Sequence, residues 1–197
     1  MREQAKLELS KDEMLAYFGE INQRLATAGK HGEIMLLGGA TLTLVFIARH
    51  STRDIDAFYR PAEDMRIIIK DMASEYNLEE DWLNDGAKGF ITTAMKFEQY
   101  LTYSNLTVSN IDAEGLLAMK LTAARDASKD MADSIFLMNM LNIRTEEQLF
   151  DIVKKYTHPT MHTPKARFFT AEAFEQYRQG YQKNLAEVEQ APPRTLC

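Results

Sequence analysis

Apolar positions along the chain alternate between helical and strand spacing. Between Lys11 and Gly29 they recur at Met14, Phe18, Ile21 and Leu25, three or four apart, which predicts an amphipathic helix over 11–29. Ser10 stands where an N-cap belongs, and Glu13 three residues later completes a capping-box spacing. Gly29 and Gly32 flank the helix end. The apolar run that begins at Ile34 then predicts a short buried strand over 33–37 that stops at Gly38-Gly39, followed by a helix over 40–48 despite its Thr and Val content. In the next segment, STRDIDAFY, the period is two. Asp54, Asp56 and Phe58 alternate with Ile55, Ala57 and Tyr59, as a strand requires, and Pro61 ends it.

Helical spacing returns over 62–76, with Met65, Ile68, Ile69 and Met72 as the inner face. The pattern breaks into a loop or turn around Trp82–Gly86. Two strands are expected near 95–103 and 106–110. Asp112 reads as the N-cap of a helix running through Arg125, and after a break at Ser128 a second helix carries Met131–Asn142. Further helices are expected over 145–156 and 170–188, joined by the loop THPTMHTPKA. The expected fold class is therefore α/β (α+β). Residues 1–110 form a mixed-sheet core, 111–189 a helical C-terminal part, and 190–197, with Pro192-Pro193, a loose tail.

Composition narrows the classes. A chain of 197 residues with 45% hydrophobic and 26% charged positions is an ordinary globular domain, with room for a small appendage at most. The net charge of −6 argues against bulk electrostatic binding of nucleic acid, though a local basic patch is compatible with it. The single cysteine, Cys197, excludes an internal disulfide framework and a cysteine-based zinc site. The most apolar stretch, Met35–Ala48, is shorter than the ~20 residues a membrane span needs. The opening residues MREQAKLELSKDE carry charges with no apolar segment behind them, so the expected setting is the cytoplasm, away from membranes.

The chemistry concentrates in one unit: Gly38-Gly39, then fourteen residues, then Asp54-Ile55-Asp56. On a strand, Asp54 and Asp56 project from one face while Ile55 enters the core. Oxygen ligands alone suit a hard cation such as Mg²⁺ or Mn²⁺. Two glycines between a strand and a helix let the backbone approach a phosphate closely. Ser51 and Thr52 add hydroxyls, and Arg49 and Arg53 add positive charge for a triphosphate. Either half of this unit alone also describes a polar strand edge or a tight turn.

Together the halves carry a resemblance. LLGGATLTLVFIARHSTRDIDAF is similar to the signature of the DNA polymerase β-like (minimal) nucleotidyltransferase superfamily. The stretch Arg49–Asp56 resembles its AbiEii-type branch, known from toxin–antitoxin systems. A second block, LLAMKLTAARDASKDMADSIFL, resembles that branch's helical motif. The two blocks cover about a quarter of the chain, in the family's order. The resemblance implies that Asp54 and Asp56 bind Mg²⁺ or Mn²⁺. It implies that Gly38, Gly39, Arg49 and Thr52 contact the nucleotide, and that Lys120 and Asp130 are catalytic. The implied reaction moves a nucleoside monophosphate from an NTP to an acceptor, such as the 3′ end of a tRNA or a hydroxyl of another RNA or a protein. An antitoxin or other protein partner is implied as well. One departure stands out. Many members carry a third carboxylate on a later strand, and Leu106–Asn110 has none; Glu98 and Asp112 are the nearest substitutes. That departure motivates the alternative of a catalytically degenerate binding protein on the same fold.

Other features read more simply. Lys120 sits among Leu116, Leu117 and Leu121, where a lysine needs a partner or ligand, or else snorkels to water. Asp130 and Asp133, three apart, could pair with Lys129 on a solvated face. His158 and His162 flank Pro159 in a loop and do not form a zinc spacing. His50 reads as a loop residue beside the aspartates. Trp82 reads as closing a small core, and the eleven methionines as packing.

Overall fold

A computed structural model describes residues 8–123 and 127–190. The helix end expected at Arg125, the Pro192-Pro193 tail and Cys197 lie outside the described residues. The fold is mixed α/β, with the strands in the first part of the chain and helices after them.

The first helix, α1 (Lys11–Thr27), follows a two-residue strand, β1 (Leu9–Ser10). Its capping box is made: the Glu13 amide donates to Ser10 Oγ at 3.4 Å, and the Ser10 amide donates to Glu13 Oε2 at 3.0 Å. β2 (Gly32–Leu36) leads into α2 (Gly38–Leu44), which is shorter than the helix expected over 40–48. Ile47 takes a left-handed conformation, φ 53°, and the Ala48 amide turns back to the Leu42 carbonyl at 2.9 Å. The chain thereby leaves the helix axis and turns toward the next strand.

The strand expected as one unit over 51–59 is two. β3 (Ser51–Thr52) pairs with β1, while β4 (Ile55–Arg60) pairs antiparallel with β2. Changing partners requires a bend, and Arg53 and Asp54 form it. From Ile55 onward the expected alternation holds, with Ile55, Ala57 and Tyr59 buried and Asp56 and Phe58 half-buried. α3 (Ala62–Glu75) follows Pro61. The loop expected at Trp82–Gly86 contains a two-residue strand, β5 (Leu83–Asn84), which is too short to show a period; a 3₁₀ turn, Gly86–Phe90, follows it.

β6 (Phe97–Thr102) and β7 (Leu106–Ile111) complete a five-stranded sheet in the order β5-β4-β2-β7-β6. β7 runs parallel to β2, so Leu36 lies between Ala57 and Asn110. Ile34, Leu36, Ala57 and Val108 form one core with apolar residues of α1 and α3. Trp82 belongs to it, its indole N–H donating to the Ile69 carbonyl at 3.1 Å.

The helical part comprises α4 (Ala113–Ala123), α5 (Ala127–Met140), α6 (Glu146–Tyr156) and α7 (Pro164–Gln190). α7 begins earlier than the expected residue 170, with Pro164 as its first residue, a position where proline's missing N–H costs nothing. Asp112 caps α4 as expected, accepting the Gly115 amide at 2.9 Å. These helices form a second core with Leu37, the residue after β2, and Ile111, the last residue of β7. Among the described residues no helix is long and apolar enough to cross a membrane.

Candidate active site

The two cores meet where β2 and β7 end and β4 begins, and the glycine pair lies there. Gly38 has φ 54°, a region in which an L-residue is strained. A Cβ on it would lie 2.5 Å from Asp56 Oδ2, so the bare Cα is what admits that carboxylate. A Cβ on Gly39 would lie 2.5 Å from Thr52 Oγ1 and 3.5 Å from Arg49 Nη1. The glycine turn thus lies against three side chains that the sequence pointed to downstream of it: Asp56, Thr52 and Arg49.

The second sequence block meets the first through an ion-pair network. Lys120 Nζ on α4 lies 2.9 Å from Asp130 Oδ1 and 2.9 Å from Asp133 Oδ2, both on α5. Arg49 donates Nε to Asp133 Oδ1 at 2.8 Å, and its Nη2 donates to Asp133 Oδ2. One carboxylate therefore holds both cations. Burial pulls the Lys120 pKa down, but the Asp133 charge and the hydrogen bonds that Lys120 donates to both aspartates outweigh it and leave the pKa raised. Lys120 stays an ammonium at any physiological pH. The reading of Asp130 and Asp133 as residues on a solvated face is corrected here: their side chains are 10% and 5% exposed. Sequence reasoning noted Asp133 without assigning it a role in the site. The available signal was its spacing from Asp130, which puts both on one helix face.

Gly38, Arg49, Asp56, Lys120 and Asp130 all line one cavity of about 160 Å³, with apolar walls from Phe90, Leu116 and Met119. Thr52 lies on the far side of Arg49, in a neighbouring cavity. Asp54 is not among the residues lining either cavity. It sits in the bend before β4 rather than on the strand, so the pleat does not align it with Asp56. Its Oδ2 accepts the Asn84 side-chain amide at 3.3 Å. Asn84 pairs with Asp56 across β4 and β5, and its Oδ1 accepts the Gly86 amide at 2.9 Å. This asparagine, which the sequence did not single out, ties the bend to the strand.

Neither substitute for a third carboxylate reaches the cavity. Asp112 caps α4 and accepts the Tyr156 hydroxyl at 3.1 Å, and Glu98 is exposed on β6. Among the described residues no group of three or more His, Cys, Asp or Glu side chains could hold a metal. Asp56 is the aspartate of the motif that lines the cavity, and Mg²⁺ is commonly held by one or two carboxylates with substrate phosphates completing its shell. His158 bonds Thr160 and His162 bonds Thr157, so the two histidines serve their own loop.

Comparison with protein-family models, curated proteins and solved structures returns no match, so the chemistry rests on the residues themselves.

Proposed function

We propose that the protein is a Mg²⁺-dependent nucleotidyltransferase of the DNA polymerase β-like type, similar in its motifs to the AbiEii branch and acting in the cytoplasm. The observation that carries this reading is convergence. Gly38, Arg49, Asp56, Lys120 and Asp130 come from five separate segments of the chain and line a single cavity.

In the proposed reaction an acceptor hydroxyl attacks the α-phosphorus of an NTP. The new O–P bond forms as the bond to pyrophosphate breaks, and the hydroxyl proton is released. Asp54 and Asp56 would hold Mg²⁺ or Mn²⁺, which supplies charge neutralisation and alignment of the attacking and leaving oxygens. Gly38 and Gly39 admit the phosphates close to the backbone. Lys120 neutralises charge developing on the α-phosphate, and Asp130 orients Lys120. Arg49 and Thr52 face the remaining phosphates. Catalysis is then mainly positioning and preorganised electrostatics. The acceptor is an RNA, such as a tRNA 3′ end, or a protein hydroxyl, and a protein antitoxin is the expected regulator.

The test is transfer of label from each α-labelled NTP to total RNA and to protein. Label transfer that needs Mg²⁺ and falls roughly hundredfold in Asp56→Asn and in Lys120→Met is the expected result. No transfer from any NTP to either pool contradicts it. The second reading, a catalytically degenerate binding protein on this fold, is favoured by one observation: Asp112 is engaged as a cap and Glu98 faces solvent, so neither supplies a third carboxylate. That reading expects nucleotide or partner binding without transfer.

A further inference from the structure

The helical part carries apolar surface that neither core uses. α6 turns Leu149, Val153 and Tyr156 inward, and α7 turns Ala166, Phe169, Ala173 and Tyr177 inward, each set at helical spacing. One such stripe joins a helix to its core. α7 has a second: Pro164, Phe168 and Ala171 follow one another at helical spacing on another face, and α6 adds Phe150 beside them. Phe168 is 79% exposed and Phe150 is half-buried. Neither ring packs in either core among the described residues.

This outer stripe borders a groove between α6 and α7. Two adjoining cavities, of about 480 and 520 Å³, make it up, and Phe150, His162 and Arg167 line both. None of the groove's residues lines the Asp56 cavity. The two walls differ in charge. α6 contributes Glu146 and Glu147, and α7 contributes Arg167. None of these three forms an ion pair among the described residues. Bare aromatic rings with an unpaired arginine are the composition of a protein contact.

The patch is complementary to itself. A contact across a twofold axis uses the same surface on both chains, so that surface must carry both halves of every interaction. Here a projecting ring, Phe168, stands beside a hollow that such a ring can enter. An acidic wall stands beside a basic residue. A twofold axis through the groove sets Phe168 of each chain in the hollow of the other, and Arg167 of each chain against the partner's Glu147. A nucleic acid strand would instead meet Glu146, Glu147 and Asp151 along the groove, and their charge repels phosphates.

We propose that the α6–α7 groove is the interface of a homodimer, with Phe168 as its anchor and reciprocal Arg167–Glu147 pairs fixing its register. The occupant of the groove is a second copy of this chain. The proposal stands apart from the nucleotide reading, because the interface leaves the Asp56 cavity uncovered.

Sedimentation equilibrium of the full chain over a wide concentration range tests it. Phe168, Arg167 and Glu147 are exposed, so their variants should fold as the wild type does, and circular dichroism checks this. Wild type should show a monomer–dimer equilibrium, and Phe168→Glu should weaken it about thirtyfold. Arg167→Glu and Glu147→Arg should each weaken it about tenfold, since each sets like charges together twice. Mixing those two variants should restore dimerisation, because the mixed dimer regains both opposite-charge pairs. Wild type that stays monomeric throughout overturns the interface. So does a dimer that Phe168→Glu leaves intact, or a mixture that associates no better than its components. Wild type that remains monomeric but binds a synthetic amphipathic helix with leucines on one face, with binding lost in Phe168→Glu, also overturns it and gives the groove to a foreign helix.

Discussion

Asp133 connects the two motif blocks with a single carboxylate, holding Arg49 through two donors and Lys120 through one. Replacing it with Asn keeps the shape and removes the charge, leaving Arg49 without its carboxylate partner and Lys120 with Asp130 alone. Asp133→Asn should lose about 3 kcal/mol of stability in urea denaturation. Asp130→Asn should lose less, because Lys120 keeps Asp133. Equal losses in the two variants would contradict the hub role. Gly38→Ala probes the other block. Left-handed backbone costs an L-residue about 1–2 kcal/mol, and the new methyl would collide with Asp56 Oδ2. Mg²⁺–NTP binding should be lost in Gly38→Ala while the chain still melts cooperatively. At this scale the sequence showed which residue types matter but not which ones touch. Asp56, Gly38 and Lys120 were legible from motif spacing. Asp133 was not, because its partner Arg49 lies 84 residues away and only tertiary packing joins them.

Local signals located most elements, and they failed where tertiary pairing overrides them. The Ser10–Glu13 box was readable because capping depends on residues three apart. Ser10→Ala should cost about 1 kcal/mol by urea denaturation and leave nucleotide binding unaltered, since α1 packs on the sheet face rather than at the site. The split between β3 and β4 was hidden: the alternating pattern runs on through Ser51–Tyr59, and only the change of pairing partner from β1 to β2 imposes the bend. That bend is what separates Asp54 from the strand face shared by Asp56 and Phe58. β5 was also hidden, since two residues carry no period, yet it brings Asn84 beside both aspartates. The early end of α2 follows from Ile47, a β-branched residue held at positive φ, which nothing in the sequence pattern announces.

Across the molecule, the site sits at the end of the sheet where a sheet-and-helix core meets a helical core. The sequence division near residue 110 describes the chain's change of character. The candidate site draws on both sides of it, with Asp56 before and Lys120 after. The helical side also sets a pH response. Lys120 has a folded pKa raised above its unfolded value, so its contribution is complete below about pH 10.4 and is lost as pH rises through the folded value. Burial, with the Glu114 and Asp112 carboxylates, pushes Tyr156 up to about 12 against the opposing pull of Lys155, and the sign is the same. The urea midpoint should therefore fall between about pH 10 and 12, and Tyr156→Phe should make that fall shallower. A midpoint independent of pH in that window would contradict the assignment.

The central claim is that the Asp56 cavity is a nucleotide site. Calorimetric titration of the four NTPs with Mg²⁺ into wild type and Asp56→Asn tests it most directly. The account predicts Mg²⁺-dependent binding of at least one NTP by wild type and its loss in Asp56→Asn. No binding of any NTP by wild type, or equal binding by both proteins, would contradict it.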